Sequence, residues 1–259
     1  MRSMRWLFCL PVLALSLGAW AEEVQPLRYG AFFTVKPGQG EAFVDLIKKY
    51  DQPIMERLIG EGSVLGWGIV TPLLHGRMPA THAIWWTCPN YAALDKALAA
   101  FEEAEKSQGE EVLKQFLDTV EIDKHYDSLM LSMVFKTKPT AMGTEPYIDV
   151  ATWQVQPGKG GDWLDHWKKY IQPVYDKLLQ DGVILAYGVD REAEHTMDPT
   201  MRWTWVVIPD LAAEDKIDAA FDAAHTKDEW DGINSEFREV SEGSSHRDVT
   251  YYSLAFTTQ

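Results

Sequence analysis

The sequence predicts an α+β fold of two tandem βαββαβ units in one chain, with their antiparallel sheets facing each other. Three observations predict it. The first is an internal repeat: an offset of 155 − 35 = 120 positions lays VKPGQG at Val35 on VQPGKG at Val155, and KKYDQP at Lys48 on KKYIQP at Lys168. From Val35 to Ala104, 26 of 70 positions are identical at that offset, including Leu58/Leu178, Gly68/Gly188, His75/His195, Trp85/Trp205 and Phe101/Phe221. A period this long means two domain-sized units rather than a solenoid. The second is that hydrophobic periodicity in each copy switches between the strand and helix values in the order β-α-β-β-α-β. The third is that a four-stranded sheet with both helices on one face leaves its other face bare and apolar, and two such faces can cover each other.

Each element has a local reason. Leu27 to Lys36 alternates and is rich in β formers, and Pro37-Gly38 turns the chain into a helical stretch from about Glu41 to Gly60. On that stretch Phe43, Ile47, Tyr50, Ile54 and Leu58, matched by Trp163, Trp167, Tyr170, Val174 and Leu178, form a buried stripe. Pro53 and Pro173 lie inside it and remove the bond to the carbonyl four residues back, so a kink or break is expected in both copies. Strands follow near Val64–Val70 and Ala83–Cys88, joined by a loop holding Pro72, His75 and Pro79. Asn90 and Asp210 are placed to cap the next helix of each copy. A further helix covers Val112–Val120, and the last strand runs from Ser128 to Phe135. After one inserted residue, His125-Tyr126-Asp127 meets His246-Arg247-Asp248 and Phe135 meets Phe256. The units are placed at 25–136 and 147–257, with 137–146 as linker on the strength of Pro139, Gly143 and Pro146.

Residues 1–21 read as a signal peptide: Arg2 and Arg5, an apolar run from Trp6 to Leu17, and Ala19-Trp20-Ala21 as the cleavage site. The chain is therefore expected to be exported, periplasmic or secreted. The run is too short for a membrane span. Cleavage removes two basic residues and no acid, leaving 24 − 2 = 22 basic against 39 acidic residues, a balance of −17. Such a surface repels nucleic acid and anionic lipid, which excludes both as partners. Only Cys88 remains after cleavage, so no intramolecular disulfide can form and a core rich in tryptophan must carry the stability.

The openings LRYGAFFTVKPGQGEAF from Leu27 and YIDVATWQVQPGKGGDW from Tyr147, each followed by a long helix, resemble the dimeric α/β-barrel superfamily. Its ferredoxin-like units include NIPSNAP-type proteins, antibiotic-biosynthesis monooxygenases and, as fused tandem copies, chlorite-dismutase-like proteins. The resemblance spans Leu27 to Phe256 and implies an intramolecular α/β barrel. No haem-ligand or oxygenase motif of these families has a matching position here, so no residue role is carried over.

Candidate sites follow from the repeat. His75/His195, in the loop between the second and third strands, and His125/His246, before the last strand, fall at one end of the sheets. There they would bind a divalent metal or haem, act as acid and base, or simply pair with Asp127 and Asp248. Trp85 and Trp205, with Trp203 two residues earlier, share one face of the third strand and line a pocket for a flat apolar ligand or pack as core. Tyr50 and Tyr170, beside the proline breaks, orient a substrate or satisfy a freed carbonyl. Asp162, His166 and Tyr170 stand four apart on one helix. Lys48-Lys49 and Lys168-Lys169 read as solvated helix faces. Phosphate loops, nucleophile elbows, CxxC pairs and dinucleotide fingerprints are absent from the sequence. Two functions remain: an exported binding or accessory protein for a small apolar or aromatic molecule, or a small-molecule enzyme of the barrel type, cofactor-free and monooxygenase-like or haem-dependent.

Overall fold

A computed structural model describes residues 25–74, 80–140, 144–194 and 198–259. The leader segment, His75, His195 and Gly143 lie outside the described residues. The first copy contains β1 (Leu27–Phe33), α1 (Gly40–Tyr50), α2 (Gln52–Gly60), β2 (Gly66–Pro72), β3 (His82–Cys88), α3 (Tyr91–Gln108), α4 (Glu110–Thr119) and β4 (Tyr126–Thr137). The second contains β5 (Tyr147–Gln154), α5 (Gly160–Tyr170), α6 (Gln172–Asp181), β6 (Ala186–Glu192), β7 (Met201–Ile208), α7 (Ala212–Ala224), α8 (Lys227–Val240) and β8 (Arg247–Thr258).

The eight strands close into one antiparallel barrel in the order β1-β3-β2-β8-β5-β7-β6-β4. The copies join where β2 meets β8 and where β6 meets β4, and each junction carries a register shift, at Ile69/Val70 and at Ser132/Val134. Bulges sharpen local twist, and a closed barrel leaves no strand edge open to pairing. Closure also sends the ends of β1, β2, β5 and β6 and the starts of β3, β4, β7 and β8 to one end of the barrel.

The expected long helix is two helices in each copy, separated at Asp51 and Ile171. Pro173 has no N–H to give the Lys169 carbonyl, and the Val174 N–H turns instead to the Ile171 carbonyl at 3.1 Å. The Tyr170 carbonyl is taken up by His225 Nε2 at 3.1 Å, which requires that nitrogen to carry the proton. Asn90 caps α3 by accepting from the Ala93 N–H at 2.9 Å. Asp210 accepts from the Ala213 N–H at 3.1 Å, two residues ahead of the start of α7.

Three apolar clusters fill the molecule. One lies between the first sheet and α1–α4, around Phe43, Met55, Leu58 and Trp67. Another lies between the second sheet and α5–α8, around Trp163, Trp167, Ile184 and Tyr187. The last occupies the barrel interior, where Val70, Ala83, Ile148, Trp205, Val207 and Phe256 from both copies meet.

Candidate ligand site

The barrel interior holds the two repeat-related tryptophans. Trp85 packs on Phe256 at 5.7 Å between ring centroids and Trp205 on Phe135 at 5.9 Å, so each indole leans on the other copy's last strand. Between them stands Arg28, its guanidinium carbon 4.0 Å from the Trp205 ring centre and 5.5 Å from that of Trp85. Arg28 also pairs with Asp190 at 3.1 Å, and Ser132 Oγ donates to the other Asp190 oxygen at 2.7 Å. Burial pushes the Asp190 carboxyl up and the Arg28 guanidinium down, and each partner opposes the other's shift. Sequence reasoning missed this cluster, although the signal was available: at the repeat offset Arg28 faces Ile148 and Asp190 faces Val70, a charged pair against an apolar one. Trp203 shares the face of Trp205 by strand alternation and is half-buried.

The remaining sequence candidates lie on the helix side of the sheets. Lys49 Nζ sits 4.8 Å from the centre of the Tyr50 ring. The Tyr170 hydroxyl donates to Glu236 of α8 with 2.9 Å to each carboxylate oxygen and contacts Lys169, and His166 Nδ1 reaches the same carboxylate at 3.2 Å. Asp162 turns to Lys159 at 2.8 Å, so the helical triplet does not act in series. His125 pairs with Asp127 at 3.2 Å and stacks on Phe33 at 4.5 Å. His246 stacks on Trp153 at 3.9 Å, with Nε2 only 3.0 Å from Asp248 but out of line for a hydrogen bond. Among the described residues no group of three or more His, Cys, Asp or Glu side chains is arranged to hold a metal ion.

A cavity of about 600 Å³ opens between the sheet and helices of the second copy. Its wall is aromatic: Trp153, Trp163, Trp167, Tyr175, Phe221, Trp230 and Phe237, with Thr204 and Ala151 on the sheet and Asp218 and Asp222 on α7. The rings support one another. Trp167 lies 6.2 Å from Tyr175, Tyr175 5.4 Å from Phe221, and Phe221 5.9 Å from Trp230. The Trp153 indole donates to the Thr204 hydroxyl at 3.4 Å.

The same place in the first copy is packed by Phe33, Phe43, Ile47, Met55 and Ile84, all buried. There Ile84 stands where the second copy has Thr204, Met55 where it has Tyr175, and Leu98 where it has Asp218. Helix α7 also ends sooner than α3, and the Thr226–Glu229 capping box restarts the chain as α8, the helix that carries Trp230 and Phe237.

Asp218 and Asp222 line the cavity, and Asp149 and Glu214 act electrostatically on its Tyr175. Burial, then the neighbouring Asp149, push the Glu214 carboxyl up to about 8. Asp149 Oδ2 and Glu214 Oε1 are both buried without a donor, an arrangement satisfied when the two carboxyls share one proton. Burial and the carboxylates Glu214, Asp149, Asp218 and Asp248 also raise the Tyr175 phenol.

A pH dependence follows. The unfolded chain gives up the Glu214 proton near 4.5, while the folded chain holds it to about 8. Stability is therefore lost as pH rises through that window, by about 1–2 kcal/mol once the solvent reaching this half-buried group is allowed for. Glu214→Gln, whose amide can donate to Asp149, is expected to flatten the slope. Thermal melts from pH 5 to 9 check it; equal slopes for parent and variant would show that no proton is shared.

The cavity does not suit haem. Haem iron takes His, Cys, Met or Tyr as its axial ligand. Tyr175 is the one such side chain among the described residues of the wall, and its raised phenol resists ionisation. Asp218 and Asp222, with no lysine or arginine in the described wall, oppose the propionates.

No protein-family model and no curated protein matches the sequence. Similar solved structures do exist. One is a provisionally assigned monooxygenase of Fusobacterium nucleatum subsp. nucleatum, at 13% identity and TM-score 0.66, covering 91% of this chain and 95% of that one. A second provisionally assigned monooxygenase, of Lactobacillus acidophilus, aligns at 13% identity and TM-score 0.62 over 91% and 97% of the two chains. An anthrone oxidase-like protein aligns at 14% identity and TM-score 0.56 over 92% and 94%. What the chain shares with these proteins is the fold, the dimeric α/β barrel, here closed within a single polypeptide.

Proposed function

We propose that this chain is an exported small-molecule-binding protein that holds a flat, largely apolar ligand between the sheet and the helices of its second copy. The observation that carries the reading is the aromatic-walled cavity of about 600 Å³ in that copy. Its volume lies within the range of ligand pockets, and a mostly apolar wall with a few polar groups is how such pockets bind and orient. Ala151 lies on the cavity floor, so Ala151→Phe is expected to fill it. Binding of naphthalene- and quinoline-sized aromatic probes, read by quenching of the wall tryptophans, should weaken by about tenfold or more while the thermal midpoint holds. Unchanged binding in that variant would place the ligand elsewhere.

Export rests on the leader-like residues 1–21, and the mass of the protein recovered outside the cytoplasm should begin at Glu22. No helix among the described residues is long and apolar enough to cross a membrane.

A second reading, an enzyme of the cofactor-free oxygenase type, draws on one observation. His246, close to Asp248, stacks on the cavity residue Trp153. That places an imidazole with a carboxylate neighbour beside the ligand space, the combination a general base requires. Oxygen uptake with a bound polycyclic phenol, abolished in His246→Ala, is its test.

A further inference from the structure

The proposed ligand site has a chemical bias that the fold does not dictate. Its wall presents π faces from four tryptophans, two phenylalanines and a tyrosine, and its charged lining residues are Asp218 and Asp222. No basic side chain belongs to the described wall. Aromatic faces carry negative potential and attract cations within about 6 Å, more strongly where water is excluded. Carboxylates at the mouth act in the same sense, and the whole chain carries a formal charge of −15, which draws cations toward it. A neutral aromatic ligand would use the rings and gain nothing from the carboxylates. An anion would be repelled by both.

We infer that the cavity of the second copy selects an organic cation, an aromatic or alkyl-substituted ammonium of two to three ring units, caged by Trp153, Trp167, Trp230 and Phe221 and paired at the mouth with Asp218 and Asp222. This inference rests on the reading of the cavity as a ligand site. The surrounding titration agrees with it. Glu214 holds a proton because burial, Asp149 and Asp218 disfavour another negative charge there, and Tyr175 on α6 is raised by burial first and then by Glu214, Asp149, Asp218 and Asp248 on β8. A cation in the cavity supplies the missing positive charge, so its binding releases protons and tightens as pH rises toward 8.

The test uses two probes of nearly equal shape, N-methylquinolinium and 1-methylnaphthalene, measured by calorimetry and tryptophan quenching on the full mature chain. The cation is expected to bind at least about tenfold more tightly in low salt, with the gap narrowing in high salt. Asp218 and Asp222 are both exposed, so the double variant Asp218→Asn with Asp222→Asn should fold as the parent does. It should bring the cation down to the affinity of the neutral probe and leave the neutral probe unchanged. Near-UV circular dichroism confirms that the tryptophan packing survives. Equal affinities in the parent, or tighter binding of the neutral probe, overturn the cation inference while the ligand site stands. Binding of neither probe overturns both.

Discussion

Arg28→Ile is expected to destabilise the chain by about 3–5 kcal/mol, and so is Asp190→Val, because either leaves one buried charge without its partner. Asp190 has 1% of its side chain exposed and Arg28 15%, and their other contacts, Ser132, Thr87 and the two indoles, do not replace a counter-charge. The double variant should recover most of that loss. Its two residues are those that the repeat places at the related position: Ile148 and Val70 already sit together in the barrel core with 7% and 5% exposure. Replacing a buried ion pair with apolar residues is often neutral or stabilising. The loss in Arg28→Ile should also shrink in acid, since an unpaired Asp190 has its folded pKa raised and costs stability as pH climbs above the ordinary carboxylate range. Chemical denaturation of the four proteins at pH 5 and pH 8 closes the cycle. A double variant as unstable as the worse single would show that stacking of Arg28 on Trp205, rather than the charge pair, holds the interior together.

That pair also shows where the sequence was readable and where it was not. Order and type of the strands and helices followed from periodicity, and closure followed from the repeat: bare sheet faces, duplicated, have one natural way to cover each other. The helix break was expected from Pro53 and Pro173, but falls at Asp51 and Ile171, because the proline is tolerated in the first turn of a new helix and sets its start there. The cavity was illegible for a deeper reason. The repeat draws attention to positions the copies share, such as Trp85 with Trp205 or Tyr50 with Tyr170, and shared positions build the common scaffold. The cavity wall draws on positions where the copies differ, Thr204 for Ile84, Tyr175 for Met55, Trp167 for Ile47 and Asp218 for Leu98, and on Trp230 and Phe237 of α8.

The histidines show the same limit. His125 and His246 have matching Asp neighbours two residues on, and the sequence supplies both pairs. Their difference comes from the ring beneath them. His125 rests on Phe33 in a filled core, while His246 rests on Trp153 at the wall of the cavity. Strand alternation alone does not report what a neighbouring strand and a distant helix leave empty.

Gly188→Ala is expected to be the most disruptive single-methyl change in the barrel, at about 3 kcal/mol or more. Gly188 on β6 stands directly across from Trp205 on β7, as Gly68 on β2 does from Trp85 on β3. A methyl at Gly188 would run into the Trp205 ring and, at 2.5 Å, into the carbonyl of Val134 on β4. The ring can rotate at a cost, but the carbonyl belongs to the bulged junction between copies and cannot move without shifting the β4–β6 register. The backbone conformation at Gly188 is ordinary for a strand, so the glycine is required by space and not by dihedral angle. Gly68→Ala meets the Ala255 carbonyl at 2.7 Å and the Trp85 indole nitrogen at 2.9 Å, and should cost somewhat less. Adding Trp205→Leu to Gly188→Ala relieves the ring but not the carbonyl, so it should restore only part of the loss beyond the cavity it creates itself. Denaturant midpoints for the two single-glycine variants and this double variant measure the split. A Gly188→Ala variant as stable as the parent would mean that the barrel wall at the junction yields freely, and that Gly68 and Gly188 recur in the repeat for a reason other than the close approach of the two indoles.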